Sequence, residues 1–108
     1  MPSNKSEGSQ LTVITTEHTL ATVTDAGNYL LKVDLNVMAL GDIVELRVKS
    51  KVRSTGTTRL MDMGVYTNVQ DSLISVSIPD ATVEEIVVTL TQTAGSVRTF
   101  DWALVDLS

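Results

Sequence analysis

The run Asp42-Ile43-Val44-Glu45-Leu46-Arg47-Val48-Lys49-Ser50-Lys51-Val52 alternates almost without a break. Val44, Leu46, Val48 and Val52 fall on one side of an extended chain, and Glu45, Arg47, Lys49 and Lys51 on the other. A period of two sends successive side chains to opposite faces. The run therefore reads as a strand with one face in a core and the other in solvent or against a partner.

The same pattern recurs on either side. Leu11–Thr16 and Thr19–Thr24 are predicted strands, followed by a turn at Asp25-Ala26-Gly27 in which Gly27 can take positive φ. Asn28–Leu35 follows, with Tyr29, Leu31, Val33 and Leu35 on one face. Asn36–Gly41 is expected to form one helical turn, with Asn36 as N-cap, Gly41 as the left-handed stop and Met38 plugging the core. After the strand Asp42–Arg53, a short loop at Ser54-Thr55-Gly56 leads into Thr57–Tyr66. Ser72–Ile78 ends at Pro79, which cannot donate to a ladder. Glu84–Thr93 and Ser96–Leu107 are expected to pair as a hairpin across Ala94-Gly95. On the last of these Phe100, Trp102 and Leu104 share a face and should anchor the core. About eight strands with a turn signal every ten residues or so predict an all-β, antiparallel β-sandwich, jelly-roll-like or immunoglobulin-like.

Composition sets the remaining bounds. A chain of 108 residues makes one domain with a thin core. Valine and threonine occur 15 times each; both are β-branched, so helix is a minor component. Met1 to Gln10 is polar throughout, which predicts a flexible N-terminal arm over 1–10 ahead of the domain at 11–108. That segment has no apolar run of the kind a secretory signal carries, and no stretch of the chain has the length of a membrane span. The absence of cysteine excludes a disulfide framework and suits folding in a reducing cytoplasm. A net charge of −5 disfavours general nucleic-acid binding.

Catalytic signals are weak. His18 is the only histidine, sits beside Glu17 at a break between strands, and reads as a surface residue. Glu84 and Glu85 are adjacent and would face opposite sides of a strand; Asp101 and Asp106 also fall on opposite faces. Asp62 and Asp71 lie near turns without the spacing of a calcium loop. No nucleophile elbow or phosphate loop occurs, so neither an enzyme nor a cofactor is expected.

Two features stand out instead. Arg47, Lys49, Lys51, Arg53 and Arg59 are five of the eight cationic residues and lie on one predicted hairpin, the first four at alternate positions. In an acidic chain this stripe reads as a solvated face that discourages edge aggregation, or as a docking face for an acidic surface. Without interleaved aromatics, nucleic acid fits it poorly. Met61 and Met63 alternate with Leu60, so both faces of that strand are partly apolar; either the core or a neighbouring subunit covers them. Lys5 brings a positive charge to the polar arm.

Two longer runs carry a resemblance. T-T-E-H-T-L-A-T-V-T-D-A-G-N-Y-L-L-K-V-D-L-N-V-M-A-L-G-D-I-V-E-L-R-V-K, from Thr15 to Lys49, and T-L-T-Q-T-A-G-S-V-R-T-F-D-W-A-L, from Thr89 to Leu104, resemble small head decoration (cement) proteins of tailed bacteriophages. The likeness rests on phrasing such as Ala-Gly-x-Tyr, Leu-Gly-Asp and Phe-Asp-Trp over roughly Thr15 to Leu107. It implies a β-sandwich on the capsid exterior with the major capsid protein as partner and no catalytic residues. A homo-oligomer made in the host cytoplasm, without nucleic acid or membrane contact, is expected on that basis. The contacts would be Arg47, Lys49, Lys51, Arg53, Arg59, Met61, Met63 and the arm with Lys5. The alternative is a receptor- or carbohydrate-binding module of a phage tail or adhesin, which would need exposed aromatics.

Overall fold

A computed structural model describes residues 3–70, 73–76, 80–82 and 84–107. Among these residues nine strands occur in the order β1 (Ser3–Leu11), β2 (Glu17–Val23), β3 (Gly27–Asp34), β4 (Ile43–Ser50), β5 (Arg59–Thr67), β6 (Ile74–Val76), β7 (Asp80–Thr82), β8 (Ile86–Ala94) and β9 (Thr99–Asp106). One sheet runs β1-β9-β3-β6, with β7 also on β3, and the other β2-β8-β4-β5; every pairing is antiparallel. The registers of β6 and β7 on β3 differ by one residue, so the two are pieces of one interrupted edge strand. Counted that way, eight strands form two four-stranded sheets in the interleaved order of a jelly-roll sandwich.

The core is aliphatic with two rings. Tyr29, Leu31, Val33 and Leu35 from the β3 segment meet Phe100 and Leu104 of β9 in one sheet; Val44, Leu46 and Val48 of β4 meet Ile86, Val88 and Leu90 of β8 in the other. Alternation put all of these on the inner faces. Trp102 is half-buried and packs against the cluster from the β1 side.

Several expectations fail for identifiable reasons. The polar N-terminus is not a flexible arm over residues 3–10: it is an edge strand paired with β9 from Ser3↔Asp106 to Leu11↔Thr99. Its core-side positions are Ser6, Gly8 and Gln10, so no apolar alternation announced it. Backbone pairing holds it, and Gly8 leaves room for the Trp102 ring, whose Cζ2 lies 3.4 Å from where a β-carbon would stand.

The last two strands do not form a hairpin. β8 pairs with β2 and β4, and β9 with β1 and β3, so residues 95–98 cross between sheets. Asn36–Gly41 is no helical turn but two tight turns, closed by Met38 N–H to Leu35 O at 3.1 Å and Asp42 N–H to Ala39 O at 3.1 Å. Asp34, not Asn36, supplies the capping oxygen, accepting from Asn36 N–H at 3.0 Å. Met38 is buried as expected. Gly27 does not have positive φ; a β-carbon there would lie 2.7 Å from Tyr29 Cζ, and the glycine makes room for that ring. Gly64 does the same for Tyr66, at 2.9 Å. The strand closure at Pro79 and the turn residue Asp71 lie outside the described residues.

The predicted strand 42–53 is also shorter. β4 ends at Ser50 and β5 begins at Arg59, leaving a loop over 51–58. Val52 is 96 % exposed because no opposing sheet extends over it. Lys51 and Arg53 are therefore loop residues and do not continue the β4 face.

Candidate interaction surface

The strand order decides which of the predicted cations are available. On the outer face of the second sheet Glu17 of β2 and Glu45 of β4 both stand opposite Thr91 of β8, and Arg47 stands opposite Thr89. Arg47 Nη2 lies 2.9 Å from Glu45 Oε2, and Arg47 Nη1 lies 3.5 Å from Glu17 Oε2. Lys49 Nζ reaches the same Glu17 oxygen at 2.9 Å. Thr89 Oγ1 also donates to it at 2.7 Å. The Thr89 hydroxyl, then Lys49 and Arg47, hold the Glu17 carboxyl below the usual carboxylate range against the opposing effect of burial. These long side chains lie over β8 and bury Thr89 and Thr91; the Thr91 hydroxyl has no partner among the described residues.

Two of the five cations of the predicted stripe are thus neutralised within the sheet. Arg47 and Lys49 bind β2 to β4 across β8, and are occupied rather than offered to a partner. Lys5 is also withdrawn: Nζ pairs with Asp25 Oδ2 at 2.6 Å. The hydrogen bond and charge of Asp25 raise the Lys5 pKa. This contact ties β1, at its bulge between Asn4 and Ser6, to the β2–β3 turn. Lys51, Arg53 and Arg59 form no ion pair among the described residues; Arg53 and Arg59 are exposed and Lys51 is half-buried.

Those three cations border β5, the edge of the second sheet. Leu60, Met61, Met63 and Val65 on this strand are each between 44 % and 52 % exposed. Leu60, Met63 and Val65 stand opposite Lys49, Arg47 and Glu45 and so share the outer face. Met61 lies in the register shift of the β4–β5 ladder. The two methionines are accordingly on the surface and not in the core. Leu60 and Val65 join the two methionines here; the signal for them was the five apolar residues in the stretch 59–67, more than one buried face needs. Glu17, the residue that consumes the stripe, could not have been found without knowing that β8 separates β2 from β4.

Other polar groups are structural. Asp42 is 1 % exposed; Oδ2 accepts from Ala39 N–H at 2.9 Å and Arg98 Nε at 3.0 Å, and Oδ1 accepts from Ser96 N–H at 3.2 Å. Burial pushes this carboxyl up, but the bonds from Ala39, Arg98 and Ser96 together bring it below the ordinary value. Gln92, fully buried, accepts from Thr12 Oγ1 at 2.6 Å and donates to Ser96 O at 2.6 Å. His18 is half-buried and not a free surface group: its Nε2 accepts from Val13 N–H at 3.0 Å, which ties down the β1–β2 crossover. No group of three or more His, Asp or Glu side chains among the described residues could hold a metal ion. A shallow depression of about 190 Å³ lies on the first sheet, lined by Lys32, Asp34, Ile74, Asp101 and Trp102 among others.

Comparison with protein families, curated proteins and solved structures finds no match to this chain.

Proposed function

We propose that this chain is a non-enzymatic structural protein of a phage virion, which binds the major capsid protein on the capsid exterior and stabilises the shell. The observation that carries this reading is the exposed apolar row Leu60, Met61, Met63 and Val65 on edge strand β5, bordered by Lys51, Arg53 and Arg59. Isolated exposed apolar side chains are ordinary; a contiguous row beside unpaired cations is the composition of a docking surface. Each contact can be modest, because repetition over many capsid sites supplies avidity. The jelly-roll architecture agrees with the proposal without selecting it, since viral capsid and lectin domains share it.

The test is binding of purified protein to capsids that lack it, read by sedimentation and by thermal stability of the shell. Binding with a higher shell midpoint is expected. Protein that neither binds nor raises the midpoint refutes the proposal.

One observation favours the carbohydrate- or receptor-binding reading: the first sheet carries a shallow depression whose lining residues include Trp102, Asp34 and Asp101. Against it, Tyr29 and Phe100 are buried, and Tyr66 and Trp102 pack against the core, so no aromatic side chain is fully presented. Quenching of Trp102 fluorescence by an oligosaccharide panel, absent with capsids, would favour this second reading.

A further inference from the structure

We propose that β5 receives an extended acidic segment of the partner, which adds antiparallel to it as the fifth strand of that sheet. This rests on the reading of the chain as a docking protein and specifies how the docking occurs.

The argument begins from the four sheet edges. Unpaired strand edges invite other chains, and proteins blunt them with charge, bulges, interruption or brevity. β1 is polar apart from Leu11, and its bulge carries Lys5. β2 has a register shift between Thr19 and Ala21. β6 and β7 are three residues each and interrupted. β5 is different. Its irregularity is confined to Met61, and from Asp62 to Thr67 the ladder with β4 is regular. No strand among the described residues pairs with its other side. Of the two edges with a regular run of six residues, Ser6–Leu11 of β1 and Asp62–Thr67 of β5, only β5 carries a row of exposed apolar side chains, with Leu60, Met61, Met63 and Val65.

Charge selects the occupant. Of the four cations that form no ion pair among the described residues, Lys51, Arg53 and Arg59 lie at the N-terminal end of β5, and Lys32 lies on β3 of the other sheet. An antiparallel partner strand would begin near Thr67 and end near Arg59, so its carboxylates belong in its C-terminal half. Alternate positions, facing Met63 and Val65 on the outer face, call for β-branched or aliphatic side chains. A second copy of this chain fits less well. A two-fold β5–β5 pairing would set the cations of each copy beside Thr67 and Asn68 of the other, with no carboxylate opposite among the described residues.

The probe is the acetylated peptide Thr-Val-Thr-Val-Glu-Val-Glu, titrated into isotope-labelled protein and followed by amide shifts and amide exchange. Protection confined to residues 62–67 is expected, with affinity falling as salt rises. Moving both glutamates to the N-terminal half should weaken binding about tenfold, and replacing them by lysine should abolish it. The double variant Lys51→Glu/Arg53→Glu changes only loop residues; it should keep the wild-type melting midpoint and bind the peptide about tenfold more weakly.

Protection on β1 or β6, equal binding of the lysine peptide, or self-association through β5 without peptide would overturn the inference. The capsid assay separates its failure from that of the functional reading. Capsid binding unaffected by Lys51→Glu/Arg53→Glu, with no peptide bound, removes the edge mechanism and leaves a decoration protein that docks elsewhere. Peptide binding without capsid binding supports the edge mechanism and removes the capsid as partner.

Discussion

Replacing Asp42 by Asn should destabilise the fold far more than its place at the start of a strand suggests. The carboxylate is almost fully enclosed and accepts three hydrogen bonds, from Ala39, Ser96 and Arg98. An amide keeps one acceptor oxygen and turns an NH2 group toward at least one of these donors. Leaving a buried donor unmatched costs roughly 1–3 kcal/mol. Losing the charge partner of Arg98 adds to this, though the Arg98 side chain is 31 % exposed and can rehydrate. A total of about 2–4 kcal/mol follows, a large share of the roughly 5–15 kcal/mol that holds a small domain together. The assay is urea denaturation of Asp42→Asn against wild type, repeated as pH is lowered. The Asp42 carboxyl is held below its ordinary value of 3.8 in the folded state. Its contribution is therefore complete above that value and is lost as pH falls through the lower folded pKa. The gap between the two proteins should be full at neutral pH and narrow in acid, as pH falls below the ordinary carboxyl value and through the lower folded one. A variant within about 0.5 kcal/mol of wild type at neutral pH, or a gap unchanged in acid, would refute this account.

Gly95→Ala should be at least as damaging as any loop change, because φ is 98° and the new β-carbon would collide with Asp42 Oδ1; a loss of more than about 2 kcal/mol is expected by thermal melting. Gly27→Ala should cost about 1–3 kcal/mol and exceed Gly64→Ala, since Tyr29 is 1 % exposed and enclosed whereas Tyr66 lies on an edge strand and can swing outward; paired urea curves decide the order. Deleting residues 2–10 should lower the melting midpoint and shift Trp102 emission to the red, because β1 covers the ring; an unchanged spectrum would show that β1 contributes nothing there. Arg53→Glu should weaken capsid binding, whereas Arg47→Glu should act mainly on stability, by placing a third carboxylate between Glu17 and Glu45; sedimentation with capsids and thermal melts distinguish the two.

Within each strand the inner face could be read directly, because period two needs no knowledge of neighbours. Val44, Leu46 and Val48, like Tyr29, Leu31 and Val33, all fall where alternation puts them. What alternation cannot convey is which strand lies beside which. Ala94-Gly95 is a good turn in a hairpin and an equally good turn between sheets; the choice depends on Asp42, far away in sequence, which receives Ser96 N–H and Arg98. β1 stayed hidden because edge strands held by backbone bonds need no apolar side chains, and Ser6, Gly8 and Gln10 provide none. In the sequence Asp42 is simply the first residue of a strand, since nothing local separates a buried acceptor from a solvated aspartate.

The candidate surface shows the same division, with a consequence for how charge patterns on sheets are interpreted. The alternation of Arg47, Lys49, Lys51 and Arg53 predicts one shared face, but a face is two-dimensional and the sequence displays only one of its axes. Across the strands, Glu17 and Glu45 convert Arg47 and Lys49 into cross-braces over the small threonines of β8. Along the strand, β4 ends at Ser50 and releases Lys51 and Arg53 into a loop beside the edge. The stripe thus divides into two cations that brace the sheet and three, Lys51, Arg53 and Arg59, that form no ion pair among the described residues and border the apolar row on β5. Had the whole stripe been free, a broad acidic surface would fit it best. With Arg47 and Lys49 paired, and the edge-proximal cations without an ion pair among the described residues, a single strand carrying its carboxylates at one end matches the stripe more closely than a surface does.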